Sequence, residues 1–190
     1  MSTKPDTDIY IALVHHPVLS KKGEVICSAV TNLDIHDIAR AARTYGVKGY
    51  YIVTTLTDQK VLVDKIVSHW THGHGGDVNP DRKKALQLVG IVDSVAGAVS
   101  RIRDIGQKDV TVVATTAKMG QADTSFSEMK AEISQGGACL ILLGTAWGLC
   151  DEVISSSDRV LEPLQGSSDY NHLSVRSAAS IILDRLLSDG

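Results

Sequence analysis

The chain is punctuated by short apolar runs, each followed by a segment with helical periodicity, and none of the runs alternates polar with apolar residues. Ile9 to Val14, Tyr50 to Thr54, Val110 to Thr115 and Cys139 to Leu143 are rich in β-branched and aliphatic side chains. A strand with one face in water would alternate; a strand that does not must be covered on both faces. Strands of that kind separated by helices predict an α/β fold with a parallel sheet between two helical layers. The helices are placed by spacing. Asp34 to Tyr45 carries Ile35, Ile38, Ala39 and Ala42 on one face, with Asp34 as N-cap and Gly46 as stop. Asp58 to Trp70 turns Val61, Leu62, Ile66 and Val67 inward, and Val95 to Arg103 and Ser125 to Ile133 are two further helices. The last helix presents Val175, Ala178, Ala179, Ile182, Leu183 and Leu186 as one stripe.

Leu86 to Val92 and Val160-Leu161 are predicted as additional strands, the second just before Pro163. Lys21 to Val30, the Gly/His-rich stretch Thr71 to Pro80 and the run Leu164 to Asn171 read as loops. There is no repeat, linker or low-complexity segment, so residues 1–190 are expected to form one domain. Three cysteines, Cys27, Cys139 and Cys150, show no CxxC spacing, which points to a reducing compartment. The polar N-terminal lead-in has no apolar signal core, and the longest apolar runs, such as Ala138 to Leu143, are too short to span a bilayer. The expectation is a cytoplasmic protein without a membrane partner. A net charge of −3 argues against non-specific coating of nucleic acid, which rests on cations neutralising phosphates, but leaves room for a specific RNA enzyme with a local basic patch.

Ligands of open α/β sheets sit beyond the carboxyl ends of the strands. Three such ends in the C-terminal half carry unusual loops: 114–117, 144–148 and 164–174. No GxGxxG follows the first strand and no GxxxxGK[ST] occurs, so dinucleotide and nucleoside-triphosphate sites lack their usual sequence. Glycine-bearing turns let the backbone approach a ligand, and an adenosine cofactor without phosphates, S-adenosylmethionine, suits such main-chain groups. The alternative is that Gly144 and Gly148 only make a tight strand-to-helix turn. In the first helix His36 and Arg40 share a face, so Arg40 is a candidate to grip a phosphate; alternatively Asp37 and Arg40, three apart, form an ordinary surface pair. His69, His72 and His74 lack a cysteine to complete a tetrahedral set, so no metal site is expected and a solvated loop is the better reading. His15 and His16 close the first strand, either touching substrate or serving as strand-end polar residues. His172 reads as a helix-entry residue, and no GxSxG elbow is present.

The residues 31–40 (TNLDIHDIAR), 144–149 (GTAWGL) and 170–179 (YNHLSVRSAA) are similar to one group of the SPOUT superfamily. These are S-adenosylmethionine-dependent RNA methyltransferases, a group sometimes found joined to the tRNA guanine methyltransferase of bacteria, and the resemblance runs from Ile9 to Leu187. It implies a C-terminal trefoil knot, against the general rule that chains do not thread, and a homodimer with the site near the interface. It implies a cofactor bent in the knot and held around Thr115, Leu143, Gly144, Thr145, Gly148, Leu164, Gly166, Asn171, His172, Leu173 and Val175. Arg40 matches the first-motif arginine, which acts in substrate phosphate handling or catalysis; Asn32, His15, His16 and Arg43 are expected beside it on the RNA, a tRNA or rRNA. Asp169 and His36 are the candidates for a base. Ala146 stands where the group leads one to expect Gly. Lys21, Lys22, Arg43, Lys48, Arg82, Lys83 and Lys84 supply a basic footprint or are solvated charge. Two rival readings are a non-catalytic module that binds cofactor or RNA beside a partner enzyme, and a flavodoxin-like nucleotide-binding regulator, which leaves the final loop unexplained.

Overall fold

The computed structural model describes residues 7–106 and 109–188. The start of the polar lead-in, residues 1–6, lies outside them. Six strands form one sheet: β1 (Thr7–Val14), β4 (Gly49–Val53), β5 (Val89–Val92), β6 (Val110–Thr115), β7 (Gly137–Gly144) and β8 (Arg159–Leu161). Their order is β5-β4-β1-β7-β6-β8 and every pairing is parallel. Val14 lies opposite both Val53 and Gly144, and Ala114 opposite Leu142, so the carboxyl ends of the central strands finish along one rim.

The lack of alternation in β1 has the expected cause. Ile9, Ile11 and Leu13 enter one core with Ile35, Ile38, Ile141 and Leu183, while Tyr10, Ala12 and Val14 enter the other with Ala98, Ile102, Leu140 and Leu142. Period-two geometry sends neighbours to opposite faces, and both faces are covered. The first is covered by α1 (Asn32–Thr44), α2 (Thr57–Thr71), α4 (Pro80–Leu86), α6 (Phe126–Ile133) and α8 (Val175–Leu187); the second by α5 (Val95–Gly106) and α7 (Asp151–Ser155). Burying each Leu or Ile of these strands contributes about 1.5–3 kcal/mol. Among the described residues no helix is long and apolar enough to cross a membrane.

Several elements differ from the sequence expectation. α1 is capped by Thr31 in extended conformation, and Asp34 sits in the first turn, accepting a hydrogen bond from the Thr31 hydroxyl. Gly46, at φ +75°, follows the helix as expected. α2 buries Val63, with Ile66, Val67 and Trp70 half-buried, whereas Val61 and Leu62 are exposed. Helix α2 packs on α4, on α3 (His74–Val78) and on the edge strand β5, a narrower seat than a sheet face, and this sets a different inward stripe. The stretch 71–80 is therefore not an open loop. A Cβ on Gly76 would stand 2.3 Å from the Trp70 carbonyl oxygen, so glycine there lets the backbone pack against the end of α2. Asn79 caps α4 by accepting from the Arg82 N–H, and this helix runs to Leu86, so the strand expected over 86–92 starts only at Val89, after a turn at 87–88. Inside the loop expected over 21–30, β3 (Val25–Ile26) pairs antiparallel with β2 (Val18–Leu19), which lies just before that stretch, and the two make a small hairpin. Helix α7 was not anticipated from the sequence.

Candidate functional site

Two loops from distant parts of the chain meet above the ends of β6 and β8. β8 is held between β6, where Leu161 lies opposite Thr115, and Thr124, which bridges Leu161 from the other side. The Glu162 N–H donates to the Thr124 carbonyl at 2.9 Å, and the Asp123 carboxylate accepts from the Val160 N–H at 2.9 Å. The Thr124 hydroxyl bond first, and then the Val160 N–H bond, hold the Asp123 carboxyl below its ordinary range. Past β8, Pro163 and Leu164 are buried and residues 165–170 are exposed. The Asn171 side-chain amide donates to the Ala117 carbonyl at 3.4 Å and that of Gln165 to the Met119 sulfur at 3.1 Å, which brings 165–171 over 117–119. A Cβ at Gly166 would meet no atom within 4 Å. Thr115 is tied down, its hydroxyl donating to the Leu142 carbonyl at 2.8 Å. Tyr170 and His172 face each other with centroids 5.5 Å apart, and Ser174 caps α8.

The middle turn is built differently. A Cβ at Gly144 would stand 2.6 Å from the Leu149 nitrogen, so only glycine lets this turn close. Ala146 has φ 50°, which explains physically why Gly is the expected residue there. The turn leans on the β2–β3 hairpin: Trp147 N–H donates to Leu19 carbonyl at 3.1 Å and Leu19 N–H to Gly148 carbonyl at 2.9 Å. Thr145 is buried, with its N–H and hydroxyl both on the Val14 carbonyl, at 3.2 and 2.8 Å. Its hydroxyl also meets Ser28 Oγ at 2.6 Å, and Ser28 in turn lies 2.9 Å from Nδ1 of buried His15. Burial pushes the His15 imidazole down to about 4, against the opposing pull of Asp34, and its Nε2 is buried without a partner among the described residues. His15 is thus interior, while His16 is half-buried. Thr145 has its N–H and hydroxyl engaged in closing the rim; the exposed residues lie at 117–120 and 165–173, with Asn171 among them half-buried.

The second cluster lies on α1. Asn32, His36 and Arg40 line a groove of about 560 Å³ with Lys65, Trp70 and Arg82. The Arg82 guanidinium lies 4.7 Å from the Trp70 ring centroid, and the His36 and His69 rings meet Trp70 edge-on at 5.5 and 5.1 Å. Burial, then the charges of Arg82 and Arg40, lower the His36 pKa, with Asp37 opposing. The Asp37–Arg40 pair does not form. Asp37 instead meets Arg176 of α8 at 3.5 Å, and the same guanidinium donates to Asp34 at 3.1 Å. Arg40 makes no ion pair among the described residues, and Arg43 is exposed in the last turn of α1. Arg176 thereby fastens the start of α1 to the helix that follows the 164–174 loop. No hydrogen bond or ion pair joins Asp169 to His36 or Arg40 among the described residues.

His72 Nδ1 lies 2.8 Å from the Thr71 hydroxyl, and among the described residues no three His, Cys, Asp or Glu side chains group as a metal requires. Sequence reasoning missed Arg176, Lys65, Trp70 and Ser28. Arg176 meets Asp34 across 142 positions and leaves no local signal, and reading 71–80 as loop concealed the return of Arg82 onto Trp70.

The loops suit a cofactor with a cationic sulfonium and no phosphate: carbonyls, the Asn171 amide and an open Gly166 line them, their charges Lys118 and Asp169 are of opposite sign, and the guanidinium set that a pyrophosphate demands is absent from them. The chain is 44% identical over 186 residues to a protein of Oleidesulfovibrio alaskensis named tRNA (guanine-N(1)-)-methyltransferase, covering 98% of this chain and 43% of that one. It thus spans less than half the length of that curated relative. An uncharacterized protein of Aquifex aeolicus is 35% identical, with 95% of this chain and 89% of that one covered. In fold, the SpoU methyltransferase AviRb from Streptomyces viridochromogenes, solved in complex with the cofactor AdoMet, superposes with a TM-score of 0.59 at 18% identity, over 97% of this chain and 58% of that one. Residues 8–188 match the family described as SAM-dependent RNA methyltransferase, and the chain belongs to that family.

Proposed function

We propose that the chain binds S-adenosylmethionine between the 115–120 and 164–173 loops and transfers its methyl group to a nucleoside of tRNA or rRNA. The observation that carries this reading is the approach of those two loops, fixed by Asn171 on Ala117 and Gln165 on Met119, which leaves a rim of neutral main chain. The sulfonium supplies its own electrophilic methyl group when bound, so the protein's work is holding and aiming. Thr115, Leu143, Gly144, Thr145 and Gly148 form the floor of the site, and Leu164, Gly166, Asn171, His172, Leu173 and Val175 form its wall. Arg40, with no carboxylate partner among the described residues, receives an RNA phosphate beside Asn32, and Arg43 in the last turn of α1 adds charge next to it. His15 keeps the floor rigid from behind, and His16 lies at the rim. The proton leaving the acceptor atom goes to His36, which burial and two guanidiniums hold neutral near pH 7, or to the exposed carboxylate of Asp169.

The same reading takes the chain as one catalytic domain acting in the cytoplasm as a homodimer, with residues 162–174 threaded through the 116–123 connection as a trefoil knot. Support for the threading comes from β8, flanked by Thr115 on one side and Thr124 on the other. Support for the dimer comes from Leu33, Trp147, Tyr170 and Leu173, all at least half exposed around the two clusters. The test is incubation with methyl-labelled S-adenosylmethionine and total RNA from cells lacking the protein. Label should enter tRNA or rRNA, and Arg40→Ala and Asn171→Ala should each reduce transfer at least 100-fold while the protein stays folded and dimeric. Binding of the methyl donor without transfer to any RNA would make the chain a non-catalytic module.

A further inference from the structure

The groove between α1, α2 and α4 gathers three cations that the fold itself does not neutralise. Arg40, Lys65 and Arg82 line it, and none of them makes an ion pair among the described residues. Its one carboxylate, Asp37, is engaged by Arg176 at 3.5 Å, and the nearby Asp81 is paired with Lys84 at 3.1 Å. Three unneutralised cations around one groove repel one another, a cost that an anion removes. Two further groups lack partners: Arg82 Nε and His36 Nδ1 are buried and unbonded among the described residues. The Trp70 ring fixes the guanidinium plane of Arg82 from beneath, 4.7 Å away, so this cation is pre-oriented instead of sweeping through solvent. In a chain of net charge −3, such a concentration is local and directed.

We propose that this groove is an RNA-tracking site, in which Lys65 and the Trp70-backed Arg82 receive backbone phosphates that flank the nucleotide held by Arg40. It rests on the RNA-methyltransferase reading and adds a contact surface on α2 and α4 that extends the footprint along the strand. Phosphate contacts of this type set register and affinity, not base identity.

The chain has two tryptophans, so Trp147→Phe leaves Trp70 as the sole reporter in the groove. Titration with a single-stranded RNA oligonucleotide should change Trp70 emission saturably, and inorganic phosphate at millimolar concentration should not. Lys65→Gln, an exposed site, and Arg82→Gln should each weaken RNA binding several-fold. Each should also lower the slope of log affinity against log salt by about 0.7, while the heat of S-adenosylmethionine binding stays as in the wild type. An equal response to phosphate alone would make the groove a free-anion site. A Trp70 signal that follows protein concentration without RNA would make it a contact between copies. A silent Trp70 and an unchanged salt slope in a protein that still methylates RNA would overturn the groove alone. A responsive Trp70 in a protein that methylates no RNA would leave the groove standing and remove the enzymatic reading.

Discussion

His15 ends β1 with its imidazole sealed against Ser28 and Thr145, and burial holds it neutral down to about pH 4. In the unfolded chain a histidine takes its proton near 6.5, so between those values the unfolded state binds more protons and stability falls as the pH drops. Stability from this residue is complete above about pH 7, declines from 6.5 to 4 by about 3 kcal/mol, and levels below. Urea midpoints for wild type and His15→Asn across pH 4–7.5 should converge as the pH falls; parallel curves would mean that His15 is not the sensor. The glycines of the rim make a second comparison. Gly144→Ala drives a Cβ into backbone at 2.6 and 2.9 Å and should cost about 1–3 kcal/mol. Gly166→Ala meets nothing and should leave the stability unchanged within about 0.5 kcal/mol while weakening methyl-donor binding. Differential scanning fluorimetry and calorimetry together separate the two outcomes.

At the level of elements, the Arg176 clasp joins two helices that sequence distance keeps apart. Arg176→Met should leave Asp34, nearly buried, with only its Thr31 hydroxyl bond, at a cost of about 1–3 kcal/mol. Hydrogen exchange should quicken in the first turns of α1 and α8 together; quickening in one helix only would show the clasp to be ornamental. This pair also marks where sequence reading stops. The strands β1, β4, β6 and β7 were legible because burial on both faces removes alternation, and α8 because its stripe repeats at helical spacing. The inward face of α2 was misread because its partners are α3 and α4, elements whose start and cap lie among glycines and histidines that resemble a loop. The candidate residues on α1 were visible as types, but their surroundings were not: Arg82 returns onto Trp70, beside His36, only through the 71–80 segment. The turn at 144–148 was legible as tight, since glycine density signals close backbone, but its support by the β2–β3 hairpin required the fold.

For the whole molecule, the parallel sheet brings loops at 115–120, 144–148 and 164–173 to one rim; the family is S-adenosylmethionine-dependent, and the proposal seats that cofactor at this rim. Sedimentation equilibrium should return twice the chain mass of 20.3 kDa, and a monomer would remove the shared interface from the account. The central claim is that the two facing loops form the methyl-donor pocket. Isothermal titration of S-adenosylmethionine into wild type and Asn171→Ala tests it most directly. A saturable one-site heat for the wild type, lost or weakened at least tenfold when the Asn171–Ala117 link is cut, is the predicted result; no heat in the wild type, or the same affinity in both, would contradict it.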